Sequence, residues 1–446
     1  MRILYVHHTL PPDSFAGSEI YQYRLAQAMS KRHEVSIIYR EADAAAPEYQ
    51  IRERLEHGPR MFAINNTFKE CTSFEMTYRN VAIEERVGDL IQNLNPEIVH
   101  FGHVTCLSTE LPAIARRHGA RVFMTLHDFW LLCQRGQLVR RDYSICSGPT
   151  PAGCSTCLAD QIAVGPRTKQ AAHFAGKYLR FTTSPPLRHL AQWYARMNLA
   201  FSREAKDAIR KRTASIRGAI EAVDCFFSPS RFLRDFFIGA GVPPEKISFL
   251  RLGLDKSFLA QYRRTSSPTL RLAYVGSIMA TKGLHVLLEA MRLLPGEDVS
   301  LSVHGSFQPF HGDATYEART RPLLQQPRVT FAGPFRHDEL GRILSDVDLL
   351  VVPSVWYENS PLTIQEAFEA GIPVIASDIG GMKELVSHGK NGLLFSAGSP
   401  ADLARRIREL TGDRALLRRL ASGAPQQKAI TENARELEEI YQEYLR

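Results

Sequence analysis

Short apolar runs alternate with longer amphipathic stretches along the whole chain of 446 residues. In the first half, the runs have the length of buried strands, and the stretches between them have helical spacing. Strands that alternate with helices are typical of a parallel sheet with crossover helices. The predicted strands of this half are 2–6, 34–39, 98–100, 122–126, 225–227 and 247–250, and the predicted first helix is 17–30.

A polar segment with one proline, residues 261–269, separates this half from a second series of the same kind. In the second series, the stretch 284–293 predicts a helix, and the last stretch, 425–446, predicts another. A chain of this length exceeds one ordinary core, so we expect two domains. The predicted strands of the second half are 271–275, 299–304, 329–332, 349–352 and 374–376.

This alternation predicts an α/β fold in which two Rossmann-like, doubly wound domains face a central cleft. Ligands of open α/β sheets bind outside the carboxyl ends of the strands, so we expect those ends to line the cleft. The predicted domains are 1–262 and 263–425, with a C-terminal helix over 426–446 that packs back on the first domain.

Positive charge is concentrated in one segment, residues 161–220. This segment holds twelve Lys or Arg residues and two acidic residues, whereas the whole chain has a net charge of +8. Aromatic residues are mixed with the charges, so the segment is either a helix pair for an anionic membrane surface or a solvated basic face beside an acceptor. No motif that reads nucleic acid accompanies the charge, and we expect no nucleic-acid partner.

The chain has no apolar run near the ~18 residues of a membrane-spanning helix. Its N-terminus begins with a strand pattern rather than a signal peptide. We therefore expect a cytoplasmic protein. If the basic segment is a membrane-surface helix pair, it would place the protein at the inner face of the membrane.

Seven cysteines are present, and four of them cluster with the spacing C-x12-C-x7-C-x2-C in the loop-like region 133–157. A disulfide framework is not expected in a cytoplasmic protein. Four thiolates at such spacing can hold a structural zinc ion, which would order a loop with little apolar content. The alternative is a set of scattered reduced thiols. The four candidate ligands are Cys133, Cys146, Cys154 and Cys157.

Two glutamates flank a predicted helix start between the predicted strands 349–352 and 374–376. Glu358 lies in the loop before the helix and Glu366 lies inside it, with Gly371 at its end. Amides at a helix N-terminus can bind phosphate, and carboxylates accept hydrogen bonds from hydroxyl groups. A nucleotide sugar has both phosphate and hydroxyl groups and would suit such a site. The alternative is that these residues only follow the usual preferences at a helix N-terminus, with Ser360 as N-cap and Pro361 in the first helical position.

Two further strand-to-helix loops could bind phosphate. One contains Gly276 and Ser277 and ends at Lys282, and its glycine and ammonium suit a pyrophosphate, although its spacing is not that of a P-loop. The other brings Gly17 and Ser18 to a helix start in the first half. The simple alternative is a capped turn in each case.

These motifs together resemble a retaining glycosyltransferase of the GT-B fold, family 4 type. The most specific stretch is residues 353–374, which contains the E-x7-E pattern of Glu358 and Glu366 with its flanks. The segments D-I-G-G-M-K-E at 378–384 and N-G-L-L-F at 391–395 fit the same family, as does P-S-R-F at 229–232. The resemblance covers nearly the whole chain.

The resemblance implies a role for each matching residue. The first domain would bind the acceptor and the second the nucleotide sugar. Glu366 would accept the ribose hydroxyls, Glu358 would lie beside the donor sugar, and Lys282 would neutralise the diphosphate. The implied catalytic residues are Glu358, His127 and Lys282, and the implied donor-binding residues are Gly17, Ser18, Gly276, Ser277, Lys282, Asn359, Ser360, Pro361, Leu362, Thr363 and Glu366.

One departure from the family concerns the phosphate loop, where Ser277 stands in place of an arginine. Arg251 and Arg336 are candidates for the missing cation. We identify no Asp-x-Asp of the metal-dependent transferase kind, so we expect no cofactor to be required for catalysis. The paired glutamates could also indicate a glycosidase, but Glu366 matches a ribose-binding role better.

The expected function is therefore sugar transfer from a nucleotide-sugar donor to a glycan or lipid-linked acceptor, in the synthesis of a cell-surface polysaccharide or glycoconjugate. Two alternatives use the same scaffold: a sugar-nucleotide epimerase or hydrolase, and a non-catalytic sugar-nucleotide-binding protein. The sequence does not identify the donor base, the sugar or the acceptor, because these depend on pocket shape and loops.

Overall fold

The computed structural model describes residues 1–54, 58–162 and 203–446. Its contacts divide the chain into two compact units. The first consists of Met1–Asp13, Met29–Phe227 and Tyr441–Arg446, and the second of Ser14–Ala28 and Ser228–Ile440. This division differs from the predicted boundary at 262, because the segment after residue 227 and most of the first helix have their contacts in the second unit.

The first unit contains a sheet with a Rossmann-like strand order. Seven of its strands are β1 (Arg2–His7), β2 (Glu34–Glu41), β3 (Ile51–Arg54), β4 (Arg60–Asn65), β5 (Ile98–Phe101), β6 (Arg121–Thr125) and β7 (Cys225–Ser228). Their order is β3-β4-β2-β1-β5-β6-β7, and all neighbours are parallel except β3 and β4. The register places Ile3 of β1 opposite Val35 of β2 on one side and Ile98 of β5 on the other.

The sequence pattern missed β3 and β4. The short strand β3 has the sequence I-R-E-R. Three of its four residues are charged, so it lacks the apolar run by which the other strands were predicted. In the structure those charges pair with residues of β2 and β4, as Arg54 does with Glu41 and Glu53 does with Arg60.

In the described residues up to 222, the helices are α1 (Gly17–Met29), α2 (Val81–Leu94), α3 (Leu111–Arg117), α4 (Pro151–Cys157), α5 (Ala159–Ile162) and α6 (Arg203–Ala222). Local chemistry explains their ends. The side chain of Asn80 accepts hydrogen bonds from the amides of Ala82 and Ile83 at the start of α2, and Asn95 ends this helix in the left-handed conformation.

The second unit contains six parallel strands in one sheet and a further short strand, β8 (Ile247–Phe249). The sheet consists of β9 (Leu270–Val275), β10 (Val299–His304), β11 (Val329–Gly333), β12 (Leu349–Val352), β13 (Val374–Ser377) and β14 (Gly392–Phe395). Its order is β11-β10-β9-β12-β13-β14, which is the order 3-2-1-4-5-6 of a dinucleotide-binding fold. The predicted strands 299–304 and 349–352 coincide with β10 and β12.

The helices from residue 231 onward are α7 (Arg231–Gly239), α8 (Leu284–Arg292), α9 (Thr315–Leu324), α10 (Leu340–Ser345), α11 (Leu362–Glu369), α12 (Met382–Leu385), α13 (Pro400–Gly412), α14 (Arg414–Ser422) and α15 (Ile430–Leu445). The core of the unit places Ile364 and Phe368 of α11 against the strand residues Val275 and Val374. Residues from Tyr441 onward belong to the first unit, where the Tyr441 ring packs 4.8 Å from that of Phe123.

The helix that carries Glu366 begins one residue later than predicted from the preference for proline in the first helical position. Pro361 is extended, with ψ of 121°, and the first helical residue is Leu362. The hydroxyl of Ser360 accepts a hydrogen bond from Gln365 and does not cap the helix. Gly371 follows the helix end with φ of 68°, a conformation that glycine adopts readily.

Candidate active site

The predicted donor residues of the second unit converge at the point where its strand order reverses. The strands β9 and β12 are neighbours in the sheet although β10 and β11 lie between them in sequence. The loop with Gly276 follows β9, and the loop with Glu358 follows β12. In a doubly wound sheet the crevice at this reversal is the usual ligand site.

Lys282 and Glu358 meet at this crevice. The Lys282 Nζ lies 2.6 Å from Glu358 Oε1, although the two residues are 76 positions apart. The same carboxylate oxygen accepts the Ser354 hydroxyl at 2.8 Å and the Trp356 Nε1–H at 3.0 Å. Three donors on one oxygen fix the position of a buried carboxylate and direct its second oxygen away from them.

The Lys282 ammonium is also placed over the Trp356 ring, 5.6 Å from its centroid. Its side chain is 29 % exposed, whereas that of Glu358 is 6 % exposed. The lysine can therefore reach a ligand from a position that the buried glutamate and the ring define together.

Backbone packing holds the two loops against each other. Gly283 has φ of 72°, and a Cβ there would lie 1.9 Å from the Pro353 carbonyl oxygen. On the other side of the Glu358 loop, the Gly381 amide donates to the Glu358 carbonyl at 2.7 Å, and a Cβ at Gly381 would lie 1.7 Å from the Asn359 oxygen. Only glycine allows these approaches, so the glycines position the lysine and the glutamate.

Glu366, the residue predicted to bind the ribose, contacts His337. The His337 Nε2 lies 2.9 Å from Glu366 Oε1, and the carboxylate is buried. Burial lowers the pKa of His337, but the hydrogen bond and charge of Glu366, with the charge of Asp255, outweigh it and raise this pKa above its usual 6.5. One carboxylate oxygen is thus held by the histidine, and the other can accept a ligand hydroxyl.

The start of α11 is supported by two other segments of the second unit. A Cβ at Gly17, the first residue of α1, would lie 3.6 Å from Leu362. The side chain of Ser230 donates to the Asn359 side-chain oxygen. The predicted residues Gly17, Asn359 and Leu362 therefore come together around one helix N-terminus, whose first amides are not used inside the helix.

Ser18 and Ser277 have local partners. The Ser18 hydroxyl donates to the Glu19 carboxylate at 2.7 Å, so an acidic side chain shares the first turn of α1 with the predicted phosphate contact. The Ser277 carbonyl accepts the Tyr274 hydroxyl at 2.7 Å. Arg336 is strongly exposed and pairs with Asp338 at 2.9 Å, whereas burial lowers the pKa of Arg251 below its usual value.

His127 lies in the first unit, directly after β6. It belongs to a group of imidazole rings at the carboxyl ends of β1, β5 and β6, and its centroid is 5.9 Å from that of His7. His103 accepts the Thr105 amide on Nδ1, so its Nε2 carries the hydrogen that faces Asp128 at 3.3 Å. His103, His127 and Asp128 line a cavity of about 20 Å³, which is the space of a single water molecule.

The same group holds Asp128 in its charged form. Burial raises the pKa of Asp128, but the charge that His103 carries when it is protonated, the His103 hydrogen bond and the Trp130 amide outweigh it and lower this pKa below its usual 3.8. His127 is therefore adjacent in sequence to a fixed negative charge, in a layer of titratable side chains that the linear pattern does not reveal.

The chain contains an Asp-x-Asp sequence away from the predicted donor loops. Asp346 and Asp348 stand at the amino end of β12, the end opposite to the Glu358 loop. Both pair with Arg271, at 3.2 and 3.0 Å. Within residues 1–54, 58–162 and 203–446, no three His, Cys, Asp or Glu side chains are arranged to hold a metal ion. These two aspartates are thus committed to an ion pair.

Two family models together match most of the chain. The model described as Glycosyltransferase Family 4 matches residues 15–258, which is more than half of the chain. The model described as Glycosyl transferases group 1 matches residues 262–436. The chain belongs to glycosyltransferase family 4.

Individual relatives of this family 4 chain share part of its length. Glycogen synthase of Mycobacterium tuberculosis is 31% identical over 47% of this chain and 50% of its own. The amylovoran biosynthesis glycosyltransferase AmsK of Erwinia amylovora is 28% identical over 41% of this chain and 46% of its own. The chain thus spans about half the length of these curated relatives.

A solved structure has a fold similar to that of this chain. The crystal structure of Anabaena Alr3699/HepE in complex with UDP-glucose matches 99% of this chain and 100% of that chain, with a TM-score of 0.63 and 17% identity. With the two doubly wound sheets, this likeness confirms the predicted GT-B fold. None of the helices in the described ranges combines the length and the apolar content needed to cross a bilayer.

Sequence reasoning missed three side chains that shape the site. Ser354 and Trp356 donate hydrogen bonds to Glu358. Both lie within four residues of it, inside the stretch that carried the family resemblance, so their closeness in sequence could have indicated these contacts. His337 reaches Glu366 from 29 positions away, and no local pattern marks it. The region 163–202, which carries most of the basic segment, lies outside the described residues.

Proposed function

We propose that this family 4 protein transfers a sugar from a nucleotide-sugar donor to a glycan or lipid-linked acceptor, with retention of configuration and without a metal. The observation that carries the proposal is the Lys282–Glu358 pair at the strand-order reversal of the second unit. An ammonium, a helix N-terminus and two buried carboxylates in one crevice suit the diphosphate and the hydroxyl groups of such a donor.

In the proposed reaction, the acceptor hydroxyl attacks the anomeric carbon on the face from which the diphosphate leaves. The bond from that carbon to the phosphate oxygen breaks, and the departing phosphate takes the proton of the hydroxyl. Negative charge grows on the phosphate during this step. Lys282 and the first amides of α11 would stabilise that charge from fixed positions, which is the main source of catalysis in such a mechanism.

The carboxylates would have separate functions. Glu366 would accept the ribose hydroxyls with the oxygen that His337 leaves available. Glu358 would lie beside the transferred sugar, held by Ser354, Trp356 and Lys282. His127 would have the role near the donor sugar that the family resemblance implies. The UDP-glucose complex of Alr3699/HepE supports a nucleotide-sugar donor, and the name of AmsK supports polysaccharide biosynthesis.

We extend the proposal to the acceptor side through the basic segment 161–220. Its cations and aromatic residues suit an anionic membrane surface, where a lipid-linked acceptor would be presented. Pelleting with vesicles of anionic lipid at low salt, and its loss at high salt, is the expected behaviour. If the protein does not pellet with the vesicles at low salt, the membrane proposal is rejected in favour of a solvated basic face.

The transfer proposal is tested with a panel of nucleotide sugars. Release of nucleoside diphosphate that depends on an added acceptor supports transfer, whereas release without acceptor indicates a hydrolase. Conversion of the donor to another sugar nucleotide indicates an epimerase, and binding without turnover indicates a non-catalytic protein. The anomeric configuration of the product, read by NMR, tests retention, and activity in excess chelator tests metal independence.

A further inference from the structure

Two arginines of the second unit, which we call the arginine pair, lie against one phenylalanine ring. The guanidinium carbon of Arg231, the first residue of α7, is 4.5 Å from the centre of the Phe249 ring. The guanidinium carbon of Arg251 is 5.8 Å from the same centre. Phe249 is the last residue of β8, so the end of this short strand brings together two cations that are distant in the chain.

Backbone contacts fix the positions of both arginines. The Leu250 amide, between Phe249 and Arg251, donates to the Ser228 carbonyl at 2.9 Å. This bond holds the end of β8 beside the segment that leads into α7. The Arg251 carbonyl accepts a hydrogen bond from the Asn433 side chain at 3.4 Å, which attaches the same segment to α15. The two guanidinium groups are thus brought together by the packing of their main chains.

Neither guanidinium has an anionic partner in the ranges that the structure describes. Glu384 is the carboxylate that acts on Arg251 electrostatically. Its two oxygens, however, accept the backbone amide of Arg231, at 2.9 Å, and that of Phe232. Within the described residues, neither side chain forms an ion pair or donates a hydrogen bond, so both keep their N–H groups available for a ligand.

The half-buried position of Arg251 makes this arrangement costly without a ligand. Burial lowers the pKa of Arg251, the charge of Glu384 opposes this change, and the like charge of Arg231 adds to it, so that the pKa is below its usual value. A partly buried cation beside a second cation destabilises a protein unless an anion joins them. An anion bound to the arginine pair would supply hydrogen-bond acceptors and remove the repulsion.

The chemistry of the arginine pair suits phosphate oxygens. A guanidinium presents its N–H groups as a rigid planar fork, which matches the geometry of a phosphoryl group. Stacking on an aromatic face leaves those N–H groups in the plane of the guanidinium, where they can donate. Two such cations complement the multiple negative charge of a phosphate or diphosphate better than the single charge of a carboxylate.

The arginine pair also lies next to the loop that carries the buried glutamate of the proposed donor site. Ser230, the N-cap of α7, donates to the Asn359 side chain. The Phe232 ring, in the first turn of the same helix, is 5.1 Å from the Tyr357 ring. Tyr357 and Asn359 are the neighbours of Glu358 in the chain, so the arginine at the start of α7 extends from a turn that holds the Glu358 loop.

We propose that Arg231 and Arg251 together bind a phosphoryl group of one of the two reactants. The inference rests on the proposed transfer function, which supplies two sources of this chemistry: the diphosphate of the nucleotide-sugar donor and the phosphate of a lipid-linked acceptor. Bound to the donor, the arginine pair would supply the positive charge that the phosphate loop lacks at Ser277. Bound to the acceptor, it would hold the lipid phosphate beside the Glu358 loop.

Titration calorimetry on the full chain is the test, with inorganic pyrophosphate, UDP, ADP, GDP and geranyl diphosphate as probes. We expect Arg231→Gln and Arg251→Gln each to weaken pyrophosphate binding at least about tenfold, because each removes a charged hydrogen-bond donor. Weaker binding of a nucleoside diphosphate assigns the site to the donor. Weaker binding of geranyl diphosphate, with nucleotide affinity unchanged, assigns it to the acceptor.

Arg234→Gln is the matched control for lost positive charge. Arg234 is on the same helix, but its guanidinium already pairs with Asp235 at 2.7 Å. This variant should bind every probe as the wild-type protein does. Arg251→Lys keeps the charge of Arg251 without the planar fork and should therefore bind pyrophosphate with intermediate affinity.

Thermal unfolding separates phosphate binding from a structural role of Arg251. Arg251→Gln removes the repulsion from Arg231, so without ligand its Tm should equal or exceed that of the wild-type protein. Pyrophosphate should raise the wild-type Tm and should leave the Tm of Arg251→Gln nearly unchanged, because a ligand stabilises only a protein that binds it.

Equal affinity of the wild-type protein and both glutamine variants for every probe would overturn the proposal, and so would a wild-type protein that binds none of them. A lower Tm of Arg251→Gln with unchanged affinities would overturn it in favour of a structural role. These measurements require no turnover. Acceptor-dependent release of nucleoside diphosphate by the wild-type protein would therefore establish transfer even if the arginine pair binds no phosphate.

Discussion

His337 Nε2 lies 2.9 Å from Glu366 Oε1, so a histidine far away in the sequence determines which oxygen of the predicted ribose ligand is available. Removing this contact should weaken nucleotide binding, because the carboxylate loses a donor and its fixed orientation. A hydrogen bond to a charged group contributes about 1.5–3 kcal/mol. We expect His337→Ala to weaken binding of nucleoside diphosphate about tenfold or more, measured by calorimetry with UDP, ADP and GDP.

His337→Gln is the matched control, since its side-chain amide can still donate to Glu366. This variant should bind nucleotide nearly as the wild-type protein does. Equal affinity of the alanine variant and the wild-type protein would remove the positioning role of His337. The proposed transfer reaction would then still stand on Lys282 and Glu358.

The same contact predicts a pH dependence of stability. The pKa of His337 is raised in the folded protein, so protonation of its ring favours folding. This contribution is fully present below the unfolded pKa of about 6.5, and it is lost as pH rises through the higher folded pKa. The difference in free energy of unfolding between wild type and His337→Gln should therefore shrink from pH 5.5 to pH 8.5, measured by urea titration. A difference that grows with pH would contradict the assignment.

Lys282, Glu358 and Glu366 should each be required for transfer. We expect Lys282→Ala, Glu358→Ala and Glu366→Ala to lower the transfer rate by at least ~100-fold, because each removes a charge that contacts the donor in the proposed complex. Lys390→Ala, which removes an exposed lysine of the same unit, is the control for lost positive charge. Normal turnover of all three folded variants would falsify the site assignment.

Trp356 offers a finer test of how Glu358 is held. Trp356→Phe keeps a ring near the Lys282 ammonium but removes the Nε1–H that donates to Glu358 at 3.0 Å. One lost hydrogen bond to a charged group should lower kcat roughly tenfold, with little change in Tm. If kcat stays within twofold of the wild-type value, the indole N–H has no part in orienting the carboxylate.

Gly283→Ala should disturb the site through the backbone. The added Cβ would lie 1.9 Å from the Pro353 oxygen at a φ of 72°, so the two loops that carry Lys282 and Glu358 must separate. We expect a loss of roughly 2 kcal/mol or more in stability and a large loss of transfer. Gly296→Ala is the control, because its Cβ would meet no atom within 4 Å. Thermal unfolding of both variants decides the point.

The sequence predicted most strands of both sheets because their apolar runs are short and bounded by polar residues, as at β10 and β12. It also placed Lys282, Glu358 and Glu366 in loops or helix starts, where the structure has them. It could not predict that Lys282 pairs with Glu358, since strand order is a property of the whole sheet. The sequence also did not predict the contact of His337 with Glu366 or the ion pair of Arg271 with Asp346. Each of these contacts joins segments that are far apart in the chain and share no local pattern.

The strand order has a consequence for how the donor site forms during folding. Lys282 and Glu358 are 76 residues apart and become neighbours only when β12 pairs with β9, about 4.8 Å away in the sheet. The chain between them, which forms β10, β11 and their helices, makes this a long-range pairing, and the entropy lost in closing such a long loop opposes its early formation. Nucleotide affinity would thus appear late in refolding, all at once rather than gradually, and a bound nucleotide would select the chains whose second sheet is complete.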